Sequence, residues 1–420
     1  MLKAFKVPRI RKAILFTIVI MAVYTLGRTL VIPGISSDYS AEGGSISAFT
    51  ILSLLTGGSL ETFSLFSLGV SPQITASIVV ELLSNDVIKP LSDLKQEGPK
   101  GRKKLNKINQ YFGFVLGLLQ SYSMVRLFDL QYGILENNSI TTYLYIMVVM
   151  ASGSALLAWL GSQITSKGVG NGLSMIILFG ILISFPSTII SAYSGITSLI
   201  SNTTLAITLF VVYILILLFI MFAVVYMSTG VRKISVQYSG KKLSNGSQFT
   251  HLPIKPNSTS VLPLILANAV MSVPLVLVSY FNYPLYEKLT ETIGLGTPWG
   301  TVLLAVLMLL LGMFYAFTVL NPEEIAKNLN KNGGYIPNQR PGKETVKYLS
   351  GVIKNTTLVG ILGLMILVLI PYVMTLVFKL PASISFGGTS MILIVGIISD
   401  VVSNIEANLA AGKYTEWGLK

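Results

Sequence analysis

Leu68-Gly69-Val70-Ser71-Pro72-Gln73-Ile74-Thr75-Ala76-Ser77-Ile78 joins two apolar runs that one straight helix cannot contain. Upstream, the run 51–55 ends at Gly57 and Gly58, and the run 60–68 ends at Gly69. Downstream, residues 74–83 continue apolar up to the next loop. A glycine costs about 1 kcal/mol in a helix interior and a proline about 3. Two breaks in one span-length region predict a short helix, a turn and a second short helix. Irregular backbone at membrane depth is tolerated only inside protein or beside a water-filled cavity. The segment therefore belongs within a helix bundle, as a re-entrant element; a kinked ordinary helix is the competing reading. Interrupted helices also mark substrate sites in secondary transporters, so the break by itself does not choose between a channel and a transporter.

The rest of the chain supplies the bundle. Of 420 residues, 52% are hydrophobic and 11% charged, with mean hydropathy +0.72. A soluble domain carries about 25% charged residues, so a cytosolic enzyme, a disordered chain and a secreted disulfide scaffold are excluded. There is no cysteine, which removes disulfide, zinc-thiolate and iron–sulfur chemistry. A bilayer core takes about 20 apolar residues per helix. Ten stretches fit: 13–33, 71–88, 109–130, 141–164, 172–194, 204–228, 259–281, 299–320, 348–376 and 386–410.

With the amino terminus cytoplasmic, 26 of the 30 basic residues fall on the inner side. Only Arg28, Arg126, Lys288 and Lys379 remain outside. Lys and Arg concentrate on cytoplasmic loops, so both termini are expected in the cytoplasm. The net charge of +13 then records orientation and does not point to nucleic acid. A basic start followed by an apolar run also fits a signal peptide. Arg28 and Pro33 stand where small cleavage-site residues would be needed, so the run is read as the first span.

The opening stretch, with its neighbours, resembles the plug-to-second-helix junction of the SecY family, the protein-conducting channels of the bacterial Sec pathway. Five further motifs follow in family order. Lys95-Gln96-Glu97-Gly98-Pro99-Lys100-Gly101-Arg102-Lys103-Lys104 resembles its first large cytoplasmic loop. Gly168-Val169-Gly170-Asn171-Gly172-Leu173-Ser174 is similar to the start of the fifth helix, and His251-Leu252-Pro253-Ile254-Lys255-Pro256-Asn257 to the entry of the seventh. Asn321-Pro322-Glu323-Glu324 through Arg340-Pro341-Gly342-Lys343 resembles the eighth-to-ninth loop, and Phe386-Gly387-Gly388-Thr389-Ser390 the opening of the tenth helix.

The resemblance implies an all-α polytopic membrane protein. Its ten transmembrane helices would form two inverted-repeat five-helix halves, 1–196 and 197–420, with a re-entrant plug helix at about 53–69. A pore between the halves would be ringed by Ile74, Ile78, Ile177, Ile181, Ile265 and Leu393. Hydrophobic constrictions hold back ions by dewetting, and Ile74/Ile78 and Ile177/Ile181 are i,i+4 pairs that share a helix face. The plug would comprise Ser53, Leu54, Leu55, Gly57, Gly58, Leu60, Glu61, Phe63 and Phe66, with Glu61 facing the outer vestibule. Gln120 and Asn268, amides inside spans, would latch a lateral gate among helices 2, 3, 7 and 8.

Translocation needs an energy source, and the chain has no GxxxxGK[ST] phosphate loop, so a motor must dock. The loops at about 229–257 and 322–347 resemble docking loops for the SecA ATPase and for ribosomes. Arg340, with Arg232, Lys233, Lys241 and Lys242, would carry the motor contact. The resemblance further implies a SecE-like small membrane subunit, a preprotein substrate and surrounding membrane lipids, in the bacterial plasma membrane, with no cofactor, no metal and no direct nucleic-acid partner. The short lead, short outer connector and sparse charge of the 229–257 loop resemble the accessory second SecY of Gram-positive cocci. That system exports glycosylated serine-rich adhesins with an accessory SecA and possible further accessory Sec subunits. A housekeeping SecY is the alternative. An inverted-repeat transporter would need ionisable residues near mid-span, and the central spans lack such a cluster. A membrane enzyme would need a catalytic set, and a single histidine, His251, leaves few options.

Overall fold

A computed structural model of the chain describes residues 8–35, 63–84, 88–135, 139–199, 202–238, 249–255, 262–281, 283–294, 297–378 and 383–417. Each expected span is a helix. They are α1 (Pro8–Thr29), α2 (Ser71–Ser84), α4 (Pro99–Tyr132), α5 (Ile140–Lys167), α6 (Gly172–Leu199), α7 (Thr203–Thr229), α8 (Leu262–Phe281), α10 (Pro298–Val319), α12 (Lys343–Phe378) and α13 (Ser383–Trp417). Among the described residues, seven are long and apolar enough to cross a membrane by that measure alone. The other three are α2, which is short, α4, whose first half is basic, and α8, which Pro274 interrupts.

Three short helices lie in the connections: α3 (Lys89–Gln96), α9 (Tyr283–Ile293) and α11 (Pro322–Lys331). α4 begins ten residues before the expected span. Gly98 turns the chain at φ +74 and Pro99 occupies the first helical position, where its missing N–H costs nothing. The basic run Lys100–Lys107 therefore rides on a helix that projects from the bundle instead of lying in a loop.

The lipid-facing surface shows in what is exposed. Phe222, Phe219, Leu215, Ile190, Trp159 and Val359 are large apolar side chains open to the surroundings. A soluble protein rarely exposes such a continuous apolar surface. The interior is apolar too. One cluster gathers Tyr24 of α1, Leu157 of α5, Met175 to Ile181 of α6, Val224 of α7, Ile265 of α8, Met308 of α10, Leu367 of α12 and Ile392 to Ile397 of α13.

Close helix approaches depend on glycine at two places. A Cβ on Gly387 would strike the Tyr213 hydroxyl, and one on Gly388 would strike the Pro371 ring. These glycines let α13 pack against α7 and α12.

The two long basic loops are structured, which hydropathy did not indicate. β1 (Arg232–Tyr238) and β2 (Phe249–Ile254) form an antiparallel pair, with Val236 opposite Thr250 and Ile234 opposite Leu252. β3 (Gly334–Tyr335) adds to the other edge of β1, Tyr335 opposite Gln237, giving the order β2-β1-β3. The sheet therefore joins one loop to the other. Its apolar face, Ile234, Val236 and Ile254, packs on Ala326 and Leu329 of α11, Ile336, and Leu349, Val352 and Ile353 of α12. α12 thus starts inside this sheet-and-helix unit. At 36 residues and about 1.5 Å per residue it is roughly 54 Å long.

Candidate functional site: an aliphatic cluster and a sheet-borne basic surface

The six expected ring residues converge. Ile177 and Ile181 of α6, Ile265 of α8 and Leu393 of α13 are buried in the central cluster, and Ile74 of α2 packs against it. Ile78 sits one turn further along α2, among Leu266 and Ala269 of α8, in a small cluster that shares Ile74. Leu393 and Ile181 are each 2% exposed. Four helices distant in sequence thus present aliphatic side chains to one place. No polar side chain is offered there by these six positions, so a chain passing between them meets no hydrogen-bonding partner from the ring.

The turn and the second short helix expected at the break are present, while most of the first lies outside the described residues and its end, from residue 63, is turn and not helix. Residues 63–70 are turns, Gly69 adopts φ +55, and α2 starts at Ser71 with Pro72 in its first turn. The end of the expected plug segment is tied to α1 and to the residues just after it. The Ile32 N–H donates to the Phe63 carbonyl at 3.1 Å, and the Leu65 N–H to the Leu30 carbonyl at 2.9 Å. Phe63 meets Phe128 of α4 edge-on at 4.7 Å between centroids. Phe66 stacks on Tyr24 at 5.9 Å with the ring planes 3° apart. Gly27 makes room for that ring, because a Cβ there would overlap Phe66. Ser53, Leu54, Leu55, Gly57, Gly58, Leu60 and Glu61 lie outside the described residues, so the expected outward position of Glu61 is not addressed.

The two amides expected at a gate lie on facing helices. Gln120 is on α4 and Asn268 on α8, and α8 packs against both α2 and α4. Both amides are half-buried, and no hydrogen bond joins them among the described residues. Deeper contacts at this seam are apolar: Ile78 and Leu82 of α2 face Leu311 and Tyr315 of α10. Glu81 of α2 and Phe314 of α10 line the same small pocket.

At the sheet unit, Arg340 is exposed on a turn between Asn338 (φ +63) and Gly342 (φ +102). The turn is held by the start of α12. The Arg340 N–H donates to Glu344 Oε2 at 3.2 Å, and Thr345 Oγ1 donates to the Arg340 carbonyl at 2.8 Å. Arg232 and Lys233 are exposed on β1. Arg232, Gln339, Glu344, Lys347 and Tyr348 line a groove of about 470 Å³. The sheet thus brings Arg232 beside the Arg340 turn, 108 residues away in sequence. Lys241 and Lys242 lie outside the described residues.

Comparison with known proteins agrees with this arrangement. The SecY family profile matches residues 64–402. The protein translocase subunit SecY of Staphylococcus carnosus is 35% identical over 420 residues, covering 99% of this chain and 98% of that protein. A solved protein-conducting channel superposes with a TM-score of 0.68 at 17% identity, over 96% of both chains. Canine Sec61, solved in a ribosome–channel complex, superposes with a TM-score of 0.62 at 16% identity, again over 96% of both. The sequence match over nearly the whole length, on a multi-pass helical bundle with this interior, makes the chain a member of the SecY family, a protein-translocation channel subunit and not an enzyme.

Proposed function

We propose that this chain passes unfolded preproteins across a bacterial plasma membrane, with both termini in the cytoplasm, through a pore between the halves 1–196 and 197–420. Ile74, Ile78, Ile177, Ile181, Ile265 and Leu393 form the resting seal, and the segment at about 53–69 is the plug. The observation that carries this reading is the convergence of aliphatic side chains from α2, α6, α8 and α13 in one buried cluster. A gasket without hydrogen-bonding groups excludes ions by dewetting and lets chains of any sequence slide. Leu393→Asn in reconstituted channels is expected to raise resting ion conductance several-fold. Conductance equal to the parent's would overturn the ring assignment.

Gln120 and Asn268 latch the gate in this reading, one amide on each side of a seam that parts when a chain enters sideways. A SecE-like subunit accompanies the channel. Driving force comes from a SecA-type ATPase docked on Arg340, Arg232, Lys233, Lys241 and Lys242. Support comes from the exposure of Arg340, Arg232 and Lys233 on one sheet-bound platform. Arginine's rigid five-donor fork suits bidentate partners. Arg340→Glu is expected to abolish motor-coupled export while membrane insertion continues; undiminished export removes Arg340 from the contact. Within this function, the sparse charge of the 229–257 loop favours the accessory role, export of glycosylated serine-rich adhesins with an accessory SecA, over the housekeeping one. Co-purification of the chain from its own cells, followed by identification of the bound SecA, separates the two.

A further inference from the structure

The β1–β2 hairpin is pinned at both of its ends to one helix. Just before β1, in the last turn of α7, the Ser228 hydroxyl lies 2.7 Å from that of Ser399 on α13. Just after β2, Lys255 Nζ donates to Ser403 Oγ of α13 at 2.7 Å. Both pairs are part-buried. Ser399 and Ser403 are four residues apart, so the two attachments share one face of the helix. A hydrogen bond with a charged donor is roughly twice as strong as a neutral one, so the Lys255 end is the firmer.

α13 also carries Leu393. It lies six residues above Ser399, about 9 Å along the axis. Between them Ile394, Val395 and Ile397 are buried. Close-packed interiors transmit displacement because they compress little. The same end of α13 is braced from the other side, where Val401 lies against Gly170, close enough that a Cβ there would come within 3.1 Å of it.

We infer that Ser228 and Lys255 are positioning residues that join the cytoplasmic sheet and α13 into one body, so that load on the sheet is delivered to Leu393. This rests on reading Leu393 as part of the seal and the sheet as the motor's platform. No displacement of the sheet along α13 is then needed during a working cycle: platform and ring element move together.

The experiment uses the complete translocase, with its motor, in proteoliposomes, and reads preprotein transported per ATP hydrolysed. Lys255→Met combined with Ser399→Ala is expected to keep motor binding and ATP turnover while transport per ATP falls at least five-fold. A merely structural role would lower the amount of channel and leave that ratio unchanged. Because the chain has no cysteine, Ser228→Cys with Ser399→Cys gives one defined crosslink, closed by oxidation or by a short bifunctional thiol reagent. The closed form is expected to transport as well as the open one. A parental ratio in the Lys255→Met/Ser399→Ala channel overturns the inference, and so does a crosslink that stops transport. If the double variant fails to accumulate, the cysteine pair decides alone. Failure of the underlying reading looks different: Leu393→Asn then stays tight, or Arg340→Glu keeps its motor.

Discussion

Gly27 and Phe66 show how much rests on a single missing side chain. The Phe66 ring lies on Tyr24, in the space a Cβ at position 27 would fill. Gly27→Val is expected to expel the ring, loosen the end of the plug segment and raise resting ion conductance several-fold in planar bilayers. A tight Gly27→Val channel would mean that the Phe66 anchor does not hold the plug. The contact was invisible in the sequence, since a glycine in an apolar helix carries no sign of which distant ring it admits. The six residues expected to form a ring were singled out for a different reason. Ile74/Ile78 and Ile177/Ile181 carry helical spacing, but any pair of isoleucines in so apolar a chain would do the same. Registration by the surrounding motifs singled them out.

At the scale of elements, the helices were legible because a bilayer demands long apolar runs, and ten such runs stand in the sequence. The sheet was not read, although its signal is present. Ile234, Val236 and Tyr238 alternate with Lys233, Ser235 and Gln237, the period of a strand with one face covered. Positive charge and the habit of treating hydrophilic connections as loops concealed it. β1 is the central strand and Val236 sits within its ladder to β2. Proline removes a ladder donor and is not tolerated in a central strand. Val236→Pro is therefore expected to detach the sheet and abolish motor binding, while the chain still inserts at near-parental levels. Retained binding, measured by co-sedimentation with membranes, would show that the platform does not need the ladder. Early starts of α4 and α12 escaped for a related reason: their first turns are basic, so hydropathy ends where the membrane does and not where the helix does.

For the whole molecule, the charge count carries more than any motif. Placing 26 of 30 basic residues on one side predicts an orientation that can be tested directly, because cysteines introduced into this cysteine-free chain report alone. Ser139 and Lys331 are both exposed. On intact cells a membrane-impermeant maleimide is expected to label Ser139→Cys and to leave Lys331→Cys untouched until the membrane is opened. The reverse pattern would invert the topology. No sequence pattern announced that the two basic loops are one object; that follows from pairing Gln237 with Tyr335, across nearly a hundred residues.

α12 is about 54 Å long, and the hydrocarbon core is about 30 Å thick. The surplus of roughly 20 Å stands outside the hydrocarbon, with the sheet seated on its early turns at Leu349, Val352 and Ile353. The helix is therefore a ruler. It sets the altitude at which anything bound to the platform hovers over the pore mouth, and it does so in steps of one turn, about 5.4 Å. Lengthening or shortening this mast by four residues, close to one turn, would shift the working height by about 6 Å and rotate what stands on it by about 40°, so height and facing are set together by the length of one helix.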